Sequence, residues 1–278
     1  MTTANPRMEV DLPYARPEQR IASPASASGP VLIADDVVVS YGGVTAVDGM
    51  SLEVRPGEAI GLIGPNGAGK SSFLAALAGQ NRVARGQVLL EGKDITKLPS
   101  YQRARLGLAR TFQMTSEFAG MTTFENLLTA GMGVEGASLS RVVLHPRANR
   151  AQDGEVARRA WAVLHRFDAA HMANLYGREL SGGQRRLVEI MRCLMRSPKI
   201  LLLDEPMVGV APHLVARLVS DLKSLRDDGI ALVIVEHALE VVKELSDKVN
   251  VMALGRLIAS GTYDEVVRDQ AVQAAYLG

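Results

Sequence analysis

The stretch GPNGAGKSS, Gly64 to Ser72, constrains this chain more than any other, because it follows the apolar run AIGLI and precedes a helical pattern, KSSFLAALAG. It fits G-x-x-x-x-G-K-[ST] through Gly64, Gly69, Lys70 and Ser71, with Pro65, Asn66, Gly67, Ala68 and Ser72 completing the turn. Glycines let backbone N–H groups turn inward on phosphate oxygens where side chains would collide, and the helix that follows aims its positive end at the same anion. Lys70 is placed to reach the outer phosphates and the Ser71 hydroxyl to meet Mg²⁺. A merely structural glycine turn is the competing explanation. The position between a strand and a helix argues against it.

The rest of the chain agrees with an α/β fold. VLIADDVVVSY, SLEVRPGEAIGLIG and GQVLLEG read as strands broken by turns, the last as an edge strand. KILLLDE, IALVIVEH and KVNVMALG are short apolar runs bounded by turn residues or charge, and the helical HLVARLVSDLKSLRDDG lies between the first two. Strands alternating with helices predict a mainly parallel sheet buried on both faces. Residues 1–29, rich in Pro, Ala and Ser, read as a mostly disordered tail, which leaves residues 30–278 as the folded unit.

Composition excludes several classes. The net charge is +1 over 278 residues, which argues against a broad nucleic-acid surface. The basic stretch YQRARLGLAR, residues 101–110, reads instead as a solvated amphipathic helix. No apolar run approaches the roughly 20 residues needed to span a bilayer. The single cysteine, Cys193, lies in the apolar helical pattern EIMRCLM and reads as a small core residue in a reducing compartment. Trp161 is expected to pack helices of the middle segment together.

Two further motifs bear on chemistry. In ILLLDEP, residues 200–206, four apolar residues make a buried strand, with Asp204 and Glu205 at its carboxyl end, where open α/β sheets bind ligands. Asp204 is the carboxylate placed to serve a metal, and Glu205 is placed to orient or deprotonate water. In LSGGQRR, residues 180–186, Ser181 suits a helix N-cap and two glycines expose amides at the helix start, making a second anion site. One nucleotide does not need two such sites.

With LSGGQ in place, the sequence from Val31 onward resembles the ATP-binding cassette ATPases. The resemblance implies a P-loop NTPase, RecA-like core with an antiparallel β subdomain and a helical subdomain inserted at approximately 114–185. It implies ATP and Mg²⁺ as ligands and two cassettes paired head to tail, with Ser181, Gly182, Gly183 and Gln184 acting on the partner's ATP. Residue by residue, it makes Tyr41 the adenine-stacking aromatic, with Ala46 in the same pocket. Gln113, in ARTFQ, matches the glutamine that touches Mg²⁺ and the attacking water, and His237 the histidine at the γ-phosphate. Asp204 and Ser71 complete the metal set. Two positions depart from the family pattern: Ala211 replaces the usual Asp or Asn after the catalytic segment, and Ala238 replaces the Asp that often follows the histidine.

A finer likeness, in GKDITKLPSYQRARLGLARTFQ, EPMVGVAP, IVEHALEVV and the terminal AAYLG, is to bacterial importer ATPases for branched-chain amino acids. It implies a chain peripheral to the inner face of the cell membrane. Its partners would be integral-membrane permease subunits, a second identical or paralogous ATPase and, indirectly, a periplasmic solute-binding protein, with no nucleic acid. An export ATPase of the lipopolysaccharide-transport type is the alternative. A soluble cassette acting on DNA is disfavoured, since the roughly hundred residues between the glycine loop and LSGGQ are too few for a long coiled-coil arm, and one acting on ribosomes because relatives of that kind usually carry two cassettes where this chain has one.

Overall fold

The computed structural model describes residues 29–111, 119–132 and 146–277. The tail expected at the N-terminus lies outside them except for Gly29. In chain order the strands are β1 (Leu32–Tyr41), β2 (Val44–Val54), β3 (Ala59–Ile63), β4 (Arg85–Leu90), β5 (Lys93–Asp94), β6 (Leu108–Arg110), β7 (Ile200–Asp204), β8 (Ala231–Val235), β9 (Lys248–Ala253) and β10 (Arg256–Gly261). The α-helices are α1 (Lys70–Leu77), α2 (Ser100–Arg105), α3 (Thr123–Gly131), α4 (Pro146–Arg166), α5 (Gly182–Leu194), α6 (Pro212–Asp227), α7 (Leu239–Leu245), α8 (Tyr263–Val266) and α9 (Gln270–Leu277).

The strands form two sheets. The larger has the order β10-β9-β3-β8-β7-β6, in which only the β10–β9 pair is antiparallel. Its central strands are apolar without alternation because both faces are covered. On β7, Leu201 and Leu203 join one core with α4, α5 and α6, while Ile200 and Leu202 join a second core with α1 and the smaller sheet. The neighbouring strand β8 divides the same way, Leu232 and Ile234 against Ala231, Val233 and Val235. A two-residue period in buried strands thus fixes two layers around one sheet.

The smaller sheet is antiparallel, in the order β2-β1-β4-β5. The strand expected at the edge, β4, instead has the two-residue β5 outside it. The second strand also begins earlier than SLEV: β2 runs from Val44 and pairs with β1 through several register shifts. Between the sheets lies α1, whose Phe73, Leu74 and Leu77 are fully buried. Each contributes roughly 1.5–3 kcal/mol by leaving water, so the helix that presents the glycine loop is anchored on both sides.

One expectation fails here. The stretch 101–110 is not a single solvated helix. Helix α2 ends at Arg105, the chain turns at Gly107 (φ 103°), and Leu108–Arg110 become β6. The cause is the parallel pairing of Leu108–Arg110 with Ile200–Leu202, which extends the buried sheet at the expense of another helical turn. Nor is the stretch simply solvated, since Arg103 is 1% exposed.

Helices α3, α4 and α5 lie between β6 and β7 in sequence. The Trp161 ring of α4 meets Phe124 of α3 at 5.0 Å between centroids, the packing role expected for it. Among the described residues no helix is long and apolar enough to cross a membrane.

Candidate active site

The glycine loop joins the carboxyl end of β3 to the start of α1. Gly64 (φ 145°) and Gly69 (φ 99°) are required twice over. Both have backbone angles that side chains avoid, and an added Cβ would lie 2.0 Å from the Met252 carbonyl oxygen or 2.2 Å from that of Ala46. Lys70 folds back across the loop, donating from Nζ to the carbonyls of Gly64 at 2.8 Å and Pro65 at 3.0 Å. Burial pushes its ammonium below the ordinary value, and the nearby carboxylates of Glu205 and Asp204 oppose that shift.

The strand end at β7 arrives beside this loop. The Ser71 hydroxyl donates to Asp204 Oδ1 at 3.2 Å, and the Arg110 guanidinium donates to Asp204 Oδ2 at 2.8 Å. Glu205, one residue further, has φ 49°, a left-handed conformation uncommon for a residue with a side chain. Its Oε1 lies 3.1 Å from His237 Nε2 at the end of β8. An ionised carboxylate only accepts, so in that state the histidine carries its proton on Nε2. The turn is held because the Glu205 amide donates to the Val235 carbonyl at 2.9 Å.

The LSGGQ segment starts α5. Ser181 accepts from the Gln184 amide at 3.3 Å, and the Gln184 side chain accepts from the Ser181 amide at 2.9 Å, a reciprocal capping box. Gly182 and Gly183 pack against the loop after Glu205: a Cβ would stand 3.2 Å from the Gly209 carbonyl oxygen and 3.3 Å from the Val210 Cα. Ser71, Asp204, Glu205, Gly182 and Arg110 share one cleft of about 550 Å³. Tyr41 is 48% exposed at the end of β1, its hydroxyl accepting from Asn81, and Ala46 lies beside the loop. Gln113 lies outside the described residues.

Three residues that sequence reasoning passed over hold this site together. The Arg186 guanidinium donates to the carbonyls of Asp204 and Glu205 and pairs with Glu189, tying the LSGGQ helix to the β7 strand end. Glu236, 3% exposed, accepts from the Met207 amide at 2.7 Å and the His237 amide at 3.1 Å. It thereby fixes the segment after Glu205 relative to His237. Arg110 is the third. A charge at the end of an apolar run was the only sequence sign for Glu236, and it could not be told from a solvent-facing acid.

A second concavity of about 530 Å³ opens on the other side of Arg110 and Glu189, between α2, β6, α3 and α5. Cys193 stands on its wall, partly buried in the core, with Sγ 3.4 Å from the Arg110 carbonyl oxygen. Burial pushes its thiol up to about 12.

Among the described residues no cluster of three or more His, Cys, Asp or Glu side chains could hold a metal alone. One carboxylate beside one hydroxyl, as at Asp204 and Ser71, instead suits Mg²⁺, which takes few protein ligands and keeps water and phosphate oxygens. A glycine loop with a lysine, opposite a strand-end carboxylate pair, defines a P-loop nucleoside triphosphatase.

The comparisons define the class further. The model of the ABC transporter family matches residues 47–208, and that of the branched-chain amino acid ATP-binding cassette transporter matches residues 256–278. The probable branched-chain amino acid transport ATP-binding protein LivG of Archaeoglobus fulgidus is 34% identical over 240 residues, covering 86% of this chain and 91% of the relative. The lipopolysaccharide export system ATP-binding protein LptB of Haemophilus influenzae is 34% identical over 248 residues, 89% and 97% of the two chains. A crystal structure of a nucleotide-free ATP-binding cassette from an ABC transporter superimposes with a TM-score of 0.80 at 33% identity, over 90% of this chain and 99% of that one. The chain belongs to the ABC transporter family: it is a nucleotide-binding, ATP-hydrolysing transporter subunit.

Proposed function

We propose that this subunit powers uptake of branched-chain amino acids or related small solutes. In this reading it works as one of two cassettes, cytoplasmic and peripheral on the inner membrane face, beneath permease subunits fed by a periplasmic solute-binding protein. The solute class rests on residues 256–278, matched by the branched-chain cassette model, and on likeness to the LivG proteins. Export of lipopolysaccharide is the second reading, favoured by comparable likeness to LptB over 89% of the chain. The C-terminal match weighs for the importer.

The observation that carries the mechanism is the 3.1 Å contact of Glu205 with His237 across from Lys70. ATP enters with its adenine against Tyr41 and Ala46 and its phosphates on the backbone N–H groups of residues 64–72, Pro65 excepted. Lys70 exchanges two carbonyl contacts for the outer phosphates, a gain because its charge is part-buried. Ser71 and Asp204, joined by Gln113, are the residues to hold Mg²⁺, which when bound supplies charge neutralisation at the phosphates. Glu205 accepts a proton from the attacking water while His237 fixes the carboxylate's orientation. Such chemistry is mostly positioning. Ser181, Gly182, Gly183 and Gln184 complete the partner's site, which uses the second anion-binding helix end. The segment of approximately 114–185 serves as a helical subdomain, and the 530 Å³ concavity beside it receives a permease helix.

The test is Glu205→Gln, assayed with the paired subunits and permease. Turnover falling by at least a hundredfold with ATP binding retained supports the reading; near-normal turnover rejects it. Stimulation of ATPase by leucine-loaded binding protein, and none by lipopolysaccharide, separates importer from exporter.

A further inference from the structure

Arg110 ends β6 and lines two cavities at once, the nucleotide cleft and the groove between α2 and α5. Its guanidinium is committed to the cleft side. One nitrogen donates to Asp204 Oδ2 at 2.8 Å, and another donates to the Gln80 side chain just beyond α1. The side chains of the ion pair are only 11% and 22% exposed, so water screens them poorly. Asp204 Oδ1 meanwhile accepts from Ser71. Both carboxylate oxygens are therefore satisfied, one by the hydroxyl and one by a cation supplied by the chain itself.

We propose that Arg110 is a positioning residue that holds Asp204 in the metal-free cleft and competes with Mg²⁺ for it, so that loading of Mg·nucleotide displaces the guanidinium and reports occupancy to the groove. The proposal rests on the reading of Asp204 and Ser71 as the Mg²⁺ residues. The Asp204 carboxylate is part-buried in a cleft that also holds Glu205, so leaving it without a cation is costly. Arg110 fills that need when the metal is absent. A divalent ion bound at Asp204 takes a carboxylate oxygen that Arg110 now holds, and the net-anionic phosphates arriving with it offer the freed guanidinium other acceptors. Arg110 also borders the groove, where its backbone carbonyl accepts from Cys193, so a shift of this residue is felt there. The arrangement also works in reverse: an acidic side chain or exposed carbonyls docked in the groove would draw Arg110 away from Asp204 and ease metal loading.

The test titrates Mg²⁺ into the full chain in the presence of a fluorescent ADP, which avoids turnover, and reads the half-saturating Mg²⁺ concentration. Arg110→Met is expected to lower it about tenfold, the scale of a part-buried charge-assisted pair. Arg110→Lys, which keeps a cation but not the two-pronged reach, is expected to fall between Met and wild type. Should Arg110→Met fold poorly by circular dichroism, Arg110→Gln replaces it with the same expectation. Asp204→Asn reports on the underlying site. Wild-type ADP affinity that ignores Mg²⁺, or a response unaltered by Asp204→Asn, removes the site reading and this proposal with it. A normal Mg²⁺ response whose midpoint is unchanged or raised in the Arg110 variants removes this proposal alone.

Discussion

Substitution of Arg103 by methionine is expected to loosen the nucleotide-binding helix from its far end. Arg103 is 1% exposed and spends its guanidinium on backbone carbonyls alone among the bonds described: Leu98 at 2.9 Å, Ala76 at 2.8 Å, Leu77 at 2.7 Å and Thr96 at 2.7 Å. Two of these belong to the last turn of α1, where carbonyls have no partner within the helix, although Ala76 also accepts from the Gly79 amide just beyond it. A positive charge there also complements the helix dipole. Burial pushes the guanidinium down to about 10, with Asp94 opposing, so the group stays charged at neutral pH. Methionine fills similar space but leaves all four carbonyls without that donor. Each loss costs about 1–3 kcal/mol if unrelieved, yet the wild-type side chain bears its own desolvation cost and water reaches the two part-buried sites, so about 3–5 kcal/mol is expected in total. For a domain of this size that corresponds to a fall in Tm of about 10 °C. Thermal and urea melts followed by far-UV circular dichroism measure it, and Arg103→Lys should recover part of the loss. A Tm within about 2 °C of wild type for Arg103→Met would refute the reasoning, since it would mean that the four bonds contribute nothing net.

Three other outcomes are expected. Glu236→Ala orphans the amides of Met207 and His237 and should cost about 2–3 kcal/mol; single-turnover rates should fall while ADP affinity holds, because Glu205 and His237 lose their common support. Ala211, the N-cap of α6, makes no side-chain cap although Pro212 occupies the next position, so Ala211→Asp should raise stability by about 1 kcal/mol in a melt. Cys193, with its thiol raised from 9.0 to about 12, should alkylate far more slowly at pH 8 than in the urea-unfolded chain, with the rate climbing as pH rises toward 12. The same shift makes the folded state hold its proton longer than the unfolded one, so this group's stability contribution is full below about pH 9 and is lost as pH rises toward 12.

What the sequence disclosed depended on how local the physics is. The loop at residues 64–72 is legible because its backbone angles demand glycine, and its neighbours in sequence are the strand and helix that give it meaning. Asp204, Glu205 and His237 are legible because parallel strands end at one edge, so any acid or imidazole closing an apolar run arrives at the same place. The stretch 101–110 misled because its arginines carry the same letters whether they face water or carbonyls. Burial of Arg103 depends on the end of α1, more than twenty residues earlier. Arg110 depends on Asp204, 94 residues later. No periodicity records either partner. Such arginines become visible only when a fold brings their acceptors to them, and here both join the helix that carries the glycine loop to other parts of the core. Arg103 holds the last turn of α1, while Arg110 bridges Gln80 beyond it to the β7 carboxylate. The geometry of the glycine loop is therefore set at both ends of one eight-residue helix, by Ser71 against Asp204 at its start and by the buried Arg103 and part-buried Arg110 at its finish.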